Sequence, residues 1–489
     1  MPELFIDGTW RAALAGGTRD VVNPYDGRVL RTVDEAAEAD AEAAVLAARR
    51  CFDAGTWPAT PVAERAALLA RTADLLQRDR EEIARTETQD TGKTLPESRV
   101  DVDDVTAVFR YYAEQVLVDL DRTVDVGRDD VVSKVVHQPV GVCSLIAPWN
   151  YPLLQMCWKV APALAAGNTV VLKPSEVTPL STVHLVRLLA EAGYPAGSVN
   201  LLLGGGGAVG PVLTGHPAVD LVSFTGGLDT GRAIIRTAAE TVKRTTVELG
   251  GKNPQVVFAD VDLDTAVDVV LTGVFLHAGQ VCSAGTRLIV EDSIADALVA
   301  GVAERAGRIR LGNGFDEGVE SGPLVSAEHR DKVEAYVALG LSEGARLVTG
   351  GKRPDGDDLQ RGFFYSPTVL DSCDRSMRIV QEETFGPILT VERFTTEAEA
   401  VELANDTAYG LAGGVQTADV ERGERVAAAM RHGTVWINDF GPYVPQAEWG
   451  GMGMSGNGRE LGPAGLHEYL ETKHVWRSTR PGPVGQFTG

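Results

Sequence analysis

Between residues 60 and 90 the run TPVAERAALLARTADLLQRDREEIARTETQD carries apolar side chains at helical spacing, and Thr91-Gly92 supplies a stop, so one helix is predicted there. From about residue 135 the texture changes. VGVCSLIAP (140–148), NTVVLKP (168–174), SVNLLLG (198–204) and VDLVSFTG (219–226) are short β-rich runs. Between them, PLLQMCWKVAPALAAG (152–167) and STVHLVRLLAEAG (181–193) read as helices closed by glycine, and DTGRAIIRTAAE (229–240) is helical after the last run. Continuous apolar strands separated by helices predict a parallel sheet covered on both faces, in a doubly wound nucleotide-binding pattern. A second alternating half starts near NPQVVFAD (253–260) and runs to about 445; its first helix, about 263–278, leads into GQVCSAG. Segments 118–138 and the tail after 466 read as β extensions, either arms that pair with another subunit or an intrachain hairpin.

A chain of 489 residues is long for one core, so two or three domains are expected. With 44% hydrophobic and 23% charged residues it has the balance of a packed soluble protein. The net charge of −23 disfavours nucleic acid and anionic membranes as partners, and solubility alone is sufficient reason for it. MPELFIDGTW lacks a basic stretch before an apolar core, and no apolar run approaches the ~20 residues of a bilayer span, so a cytoplasmic setting is expected. Five cysteines (51, 143, 157, 282, 373) without CxxC pairs point to reduced thiols, and the histidines form no HExxH or HxH cluster for a transition metal.

Cys143 and Cys157 sit in apolar strand and helix patterns and read as small buried hydrophobes. Cys282 differs. Gly279 and Gly285 bound its segment, where backbone can approach a ligand. Upstream stand VELGGKNP (247–254), with Glu248 34 residues before Cys282, and PWNYP (148–152). With these motifs in this order the chain resembles the aldehyde dehydrogenase superfamily, from FIDGTW near the start to ETKHVW near residue 476. The resemblance implies an α/β fold: a Rossmann-type NAD-binding domain over 1–117 and 139–250, an α/β catalytic domain over 251–445, and small β oligomerisation arms at 118–138 and 466–489.

The resemblance also implies roles that the chemistry requires. Cys282 is the expected nucleophile, through a thiohemiacetal and then a thioester. Asn150 and the Cys282 backbone N–H would form the oxyanion hole, and Glu248 would activate the hydrolytic water. Lys159, nine residues after Asn150, and Glu460 of the GREL motif would join a proton relay.

For NAD, Gly205 to Gly210 match GxGxxG after a strand, but four consecutive glycines meet many patterns by chance. The family places the pyrophosphate at the later turn Phe224-Thr225-Gly226-Gly227 through Gly231, where Gly227 replaces the family's serine. Lys173 and Glu176 of KPSE would hold the adenosine ribose, the carboxylate favouring NAD over NADP. Glu383 and Phe385 of EETFGP would hold the nicotinamide ribose and pack near the ring. Ala147, Pro148, Trp149, Ser175, Gly206 and Leu249 complete the implied cofactor set.

Tyr151 and Trp158 project from one helix face, and Trp449 lies in a loop that lines the family's aldehyde tunnel. Three aromatics at one mouth suit a quaternary ammonium, as in betaine-aldehyde and aminoaldehyde dehydrogenases. Betaine aldehyde is therefore the leading substrate, with an aminoaldehyde, another aliphatic aldehyde and a catalytically silent binding protein as alternatives. Glu448 is expected to add negative charge, and no cation is expected near Tyr151, Trp158 or Trp449. His277 reads as a packed helix-end histidine. Asp90 matches a position that helps hold a structural monovalent cation in relatives; no other metal is expected. A homodimer or homotetramer is the expected assembly.

Overall fold

The computed structural model describes residues 3–484 and Gln486; the first two residues of the 1–117 segment, and Gly485 with residues 487–489 of the 466–489 arm, lie outside the described residues. The apolar runs of the first half become strands Val142–Ile146, Thr169–Lys173, Val199–Leu201 and Leu221–Thr225, every residue of which is buried. Burying each Val, Leu or Ile side chain there contributes about 1.5–3 kcal/mol, which is why two-sided apolar runs seek the interior of a sheet. With Arg244–Glu248 they form the parallel centre of an eight-stranded sheet. The chain enters at Val142–Ile146, steps outward to Val199–Leu201, then crosses back to lay Leu221–Thr225 on the other side of its first strand. At that reversal the connections diverge and open a crevice beyond the strands' carboxyl ends.

A seven-stranded sheet carries the second half, with Pro254–Val257 between Arg287–Glu291 and Ala412–Gln416, both parallel to it. The two extensions pair with each other inside the chain: Leu470–Ser478 runs antiparallel to Val131–Pro139, which pairs with Arg122–Val124.

Two element boundaries differ from the sequence pattern. The 60–90 region is two helices, Val62–Arg78 and Arg80–Thr91, broken at Asp79, whose carboxylate takes hydrogen bonds from Arg78 and meets His184. Gly92, left-handed at φ 82°, ends the second as the stop signal implied. The helix expected over 263–278 ends at Phe275, because His277 and Ala278 take left-handed backbone at φ 47° and 54° in a short turn before the nucleophile loop.

Candidate active site

The crevice is filled from both sheets. Strand Val142–Ile146 delivers Ala147, Pro148, Trp149 and Asn150 from its carboxyl end, and Pro152 then starts a helix carrying Gln155, Trp158 and Lys159 inward. Strand Leu221–Thr225 ends in Gly226-Gly227, the entry to helix Leu228–Ala239. Strand Arg244–Glu248 ends on Glu248 itself. From the second half comes the Cys282 loop, held by Asn253, whose Nδ2 donates to the carbonyls of Cys282 (2.8 Å) and Ala284 (3.0 Å). Asn150 Nδ2 donates to the Gln280 carbonyl at 2.9 Å, tying the amide to the same loop. Asn253 is a positioning residue that the VELGGKNP motif contains but whose purpose spacing alone does not reveal.

Cys282 stands where two cavities meet. One, of about 180 Å³, is lined by Pro148, Trp149, Asn150, Gly226, Gly227, Leu249, Glu383 and Phe385, among others. The other, of about 390 Å³, is lined by Tyr151, Trp158, Phe440, Tyr443 and Trp449, with Glu97, Asp101 and Asp104. Cys282 and Gln155 belong to both walls. Burial, with the charges of Glu383 and Glu248, pushes the thiol up to about 12, while the backbone N–H groups of Ser283 and Cys282 face the sulfur and oppose the rise. Gly279 and Gly285 leave no room for a side chain. A side chain on Gly279 (φ 73°) would meet the Gly386 carbonyl at 2.3 Å, and one on Gly285 would meet Gln255 at 2.4 Å.

Glu248 is buried, and neither carboxylate oxygen has a hydrogen-bond partner. Burial, followed by the charge of Glu460, raises its carboxyl well above the usual range against the pull of Lys159. Its carboxylate faces the Gly450 backbone, and it is not among the residues that line either cavity. Lys159 Nζ donates to Glu460 Oε1 and, at 2.7 Å, to Thr225 Oγ1. The Glu460 and Trp449 main chains pair in a two-residue bridge, so the segment that carries Trp449 also carries Glu460.

On the wall of the smaller cavity Glu383 is partly buried, its carboxyl raised to about 7 by desolvation although the Gly251 N–H donates to it at 3.1 Å. The carboxylate lies so close to Gly250 that any side chain there would meet it at 2.0 Å. Phe385 stands 5.2 Å from Trp149, and His329, which sequence reading missed, donates from Nε2 to the Phe385 carbonyl at 2.7 Å. Gly227 opens helix Leu228–Ala239 with nothing within 4 Å of where a side chain would begin, leaving backbone donors accessible to a phosphate. Further out, Lys173 Nζ donates to Glu176 at 3.1 Å, and Ser175 Oγ accepts from the Val177 N–H. Burial would raise the Glu176 carboxyl, but Lys173 and the Gly206 N–H outweigh it and hold it below the ordinary value. Phe224 is buried behind Gly226 and does not line the cavity.

A sequence profile described as the Aldehyde dehydrogenase family matches residues 10–475. The chain belongs to this family. It is 55% identical to the betaine aldehyde dehydrogenase of Bacillus subtilis (strain 168), over 99% of each chain. It is 41% identical to the peroxisomal aminoaldehyde dehydrogenase 1 of Pisum sativum, over 99% of this chain and 97% of that one. Its structure superposes on that of Staphylococcus aureus betaine aldehyde dehydrogenase in complex with NAD+ with a TM-score of 0.99 and 51% identity, covering 100% of this chain and 96% of that chain.

Two substrate-side expectations for this family member need correction. Glu448 is exposed and points toward the short helix Gly462–His467, where its carboxylate accepts from the Ala464 N–H; the acids of the tunnel are Glu97, Asp101 and Asp104. A cation does stand beside Tyr151: Lys93 Nζ lies 3.6 Å from the ring centroid, paired with Asp101. Sequence reading missed these groups because the acids come from helix Leu95–Gln115 and Lys93 from the turn before it, a region whose pattern does not show what it faces. Tyr443 was missed too; it stands 5.1 Å from Trp158 and 6.1 Å from Trp449, and its hydroxyl donates to Asp104 at 2.7 Å. His277 is buried and packs edge-on against Tyr151 at 5.6 Å.

Proposed function

We propose that this protein oxidises betaine aldehyde to its carboxylate with NAD as the hydride acceptor. The observation that carries this reading is a tunnel walled by Tyr151, Trp158, Tyr443 and Trp449 and edged by carboxylates, which meets a second cavity at one thiol. Aromatic faces attract a quaternary ammonium by about 0.5–2 kcal/mol each, more when desolvated. Asp101, Asp104 and Glu97 add the negative field that a neutral alkyl aldehyde would not use.

In this reading the Cys282 sulfur adds to the aldehyde carbon, and its proton leaves to Glu248. The oxyanion forms between Asn150 Nδ2 and the Cys282 N–H, giving a thiohemiacetal. NAD, bound through Lys173, Glu176, the Gly226-Gly227 turn and Glu383, takes the hydride and leaves a Cys282 thioester. Lys159 and Glu460 pass the thiol's proton outward, and Glu248 then removes a proton from water, which attacks the thioester and expels the Cys282 sulfur. Glu248 returns that proton to the departing sulfur, so the acid leaves and the thiol is restored. Asn150→Ala is expected to lower kcat by about 10²–10³-fold, the usual cost of one oxyanion donor. Steady-state rates at saturating aldehyde check it; an effect on KM alone would count against the hole.

The divisions at 1–117 with 139–250 and at 251–445 are assigned to cofactor binding and catalysis, and 118–138 with 466–489 to assembly into a dimer or tetramer. Supporting the last, Leu470–Ser478 is an edge strand exposing Val475 and Trp476. No helix among the described residues is long and apolar enough to cross a membrane; a cytoplasmic location is assigned on the five cysteines, all free thiols. Asp90 is assigned to a monovalent cation: it is buried, Oδ2 accepts from the Leu180 N–H at 2.8 Å, and Oδ1 has no partner.

The test of substrate is a kinetic panel of betaine aldehyde, 4-aminobutyraldehyde and unbranched alkyl aldehydes, each with NAD. Betaine aldehyde should give the largest kcat/KM, and Trp449→Ala should erase its lead over a neutral aldehyde by roughly tenfold, one cation–π contact's worth. A neutral alkyl aldehyde turned over equally well would remove the basis for the cage.

A further inference from the structure

The adenosine end of the proposed NAD site holds an arginine that the reaction does not use. Arg19 lies on strand Thr18–Val22, and Glu35 follows strand Val29–Asp34 of the same hairpin. The guanidinium grips the Glu35 carboxylate through two hydrogen bonds, Nε to Oε2 at 2.5 Å and Nη2 to Oε1 at 2.6 Å. Glu35 Oε1 also accepts from the Gly205 N–H at 3.0 Å, at the start of helix Gly206–Gly215. A side chain placed on Gly205 would lie 3.4 Å from Arg19 Nη2, so the arginine rests against the glycine turn. The next residue, Gly206, turns its N–H to Glu176, and Glu176 accepts from Lys173. Arg19 and Lys173 with Glu35 and Glu176 thus form one cluster in which two positive charges meet two negative ones.

We propose that Arg19 is a restrained ligand for a 2′-phosphate, and that Glu35, by occupying its guanidinium, acts with Glu176 to set the preference for a dinucleotide without that phosphate. This rests on the assignment of Lys173 and Glu176 to the adenosine ribose. A 2′-phosphate brings about two negative charges at neutral pH, and guanidinium groups bind phosphate through paired N–H donors. With both carboxylates present the cluster offers such a group no net attraction, and Arg19 has no free fork. With Glu35 neutral, the cluster gains one positive charge and the fork is released. Arg19 is partly exposed, its side chain keeping 41% of its accessible surface, so it has room to turn.

The experiment compares the full-length protein with Glu35→Gln and with Glu35→Gln combined with Arg19→Gln. Glutamine keeps an acceptor oxygen for the Gly205 N–H; Glu35→Ala serves as the second probe should that variant misfold. Titration calorimetry measures affinity for 2′,5′-ADP against ADP, and steady-state kinetics measures kcat/KM for NADP against NAD. Glu35→Gln should shift both ratios toward the 2′-phosphate by about tenfold or more, the scale of one charge-assisted hydrogen bond gained, and the added Arg19→Gln should take the gain away. An unchanged ratio in both Glu35 variants, or a gain that survives loss of Arg19, overturns the proposal while ADP and NAD still bind the parent protein. If the parent binds neither ADP nor NAD, the ribose assignment falls, and this inference with it.

Discussion

Cys282→Ala is expected to abolish acid formation, by a factor on the order of 10⁴–10⁶, while NAD binding stays within a few-fold of the parent protein. Loss is near total because no other thiol can substitute. Among the described residues, Cys51, Cys143 and Cys157 are buried in the core, and Cys373 stands outside both cavities. Binding persists because the residues proposed to hold NAD, among them Glu383, Trp149, Glu176 and the Gly226-Gly227 turn, are untouched by the change. Aldehyde-dependent reduction of NAD gives the rate, and quenching of protein fluorescence by NAD gives the binding. An alanine variant retaining a tenth of the parent activity would place the nucleophile elsewhere.

Glu248→Gln is expected to slow turnover by about 10²–10⁴-fold, the range for removing a positioned general base, with hydrolysis of the thioester hit hardest. A burst of NADH followed by a slow phase would then be visible, and intact-protein mass should show the acyl group on Cys282. The pH dependence follows from the raised carboxyl. Desolvation and the neighbouring Glu460 favour the protonated form of Glu248, so the basic form needed to activate water grows only as pH climbs above the ordinary carboxylate range. Parent turnover should therefore rise as pH climbs above the ordinary carboxylate range, and the Gln variant should lose that rise. A parallel pH profile in the two proteins would assign the titration to another group, with Glu383, pushed up to about 7, the first to examine.

The motif residues were legible because each has a chemical reason to stand where it does. Asn150 and the Lys173–Glu176 pair follow strand ends of the first sheet, and a doubly wound sheet collects such positions at one edge; Cys282 reaches that edge from a loop of the second half. Trp158 and Tyr151 were legible as one helix face, and the structure puts both in one wall. The acids Asp101 and Asp104 were not. They lie on helix Leu95–Gln115, whose amphipathic pattern gives no sign of which turn meets a cavity assembled from residues near 150, 280 and 440. Lys93 and Tyr443 were hidden for the same reason, since each matters through a ring or carboxylate far away in the chain.

By itself, the order of apolar runs and glycine stops determined the parallel sheets and their helices, since strands buried on both faces and helices closed by left-handed glycine are local consequences of side-chain chemistry. The two extensions were legible as β structure, but only the tertiary structure decided that they pair with one another, because register and partner depend on where distant strands come to lie. The same holds for the direction of Glu248, for Glu448 turning outward, and for the guanidinium of Arg19 closing on Glu35. A side chain's direction is settled by the groups packed around it, and those arrive from parts of the chain that no local pattern connects.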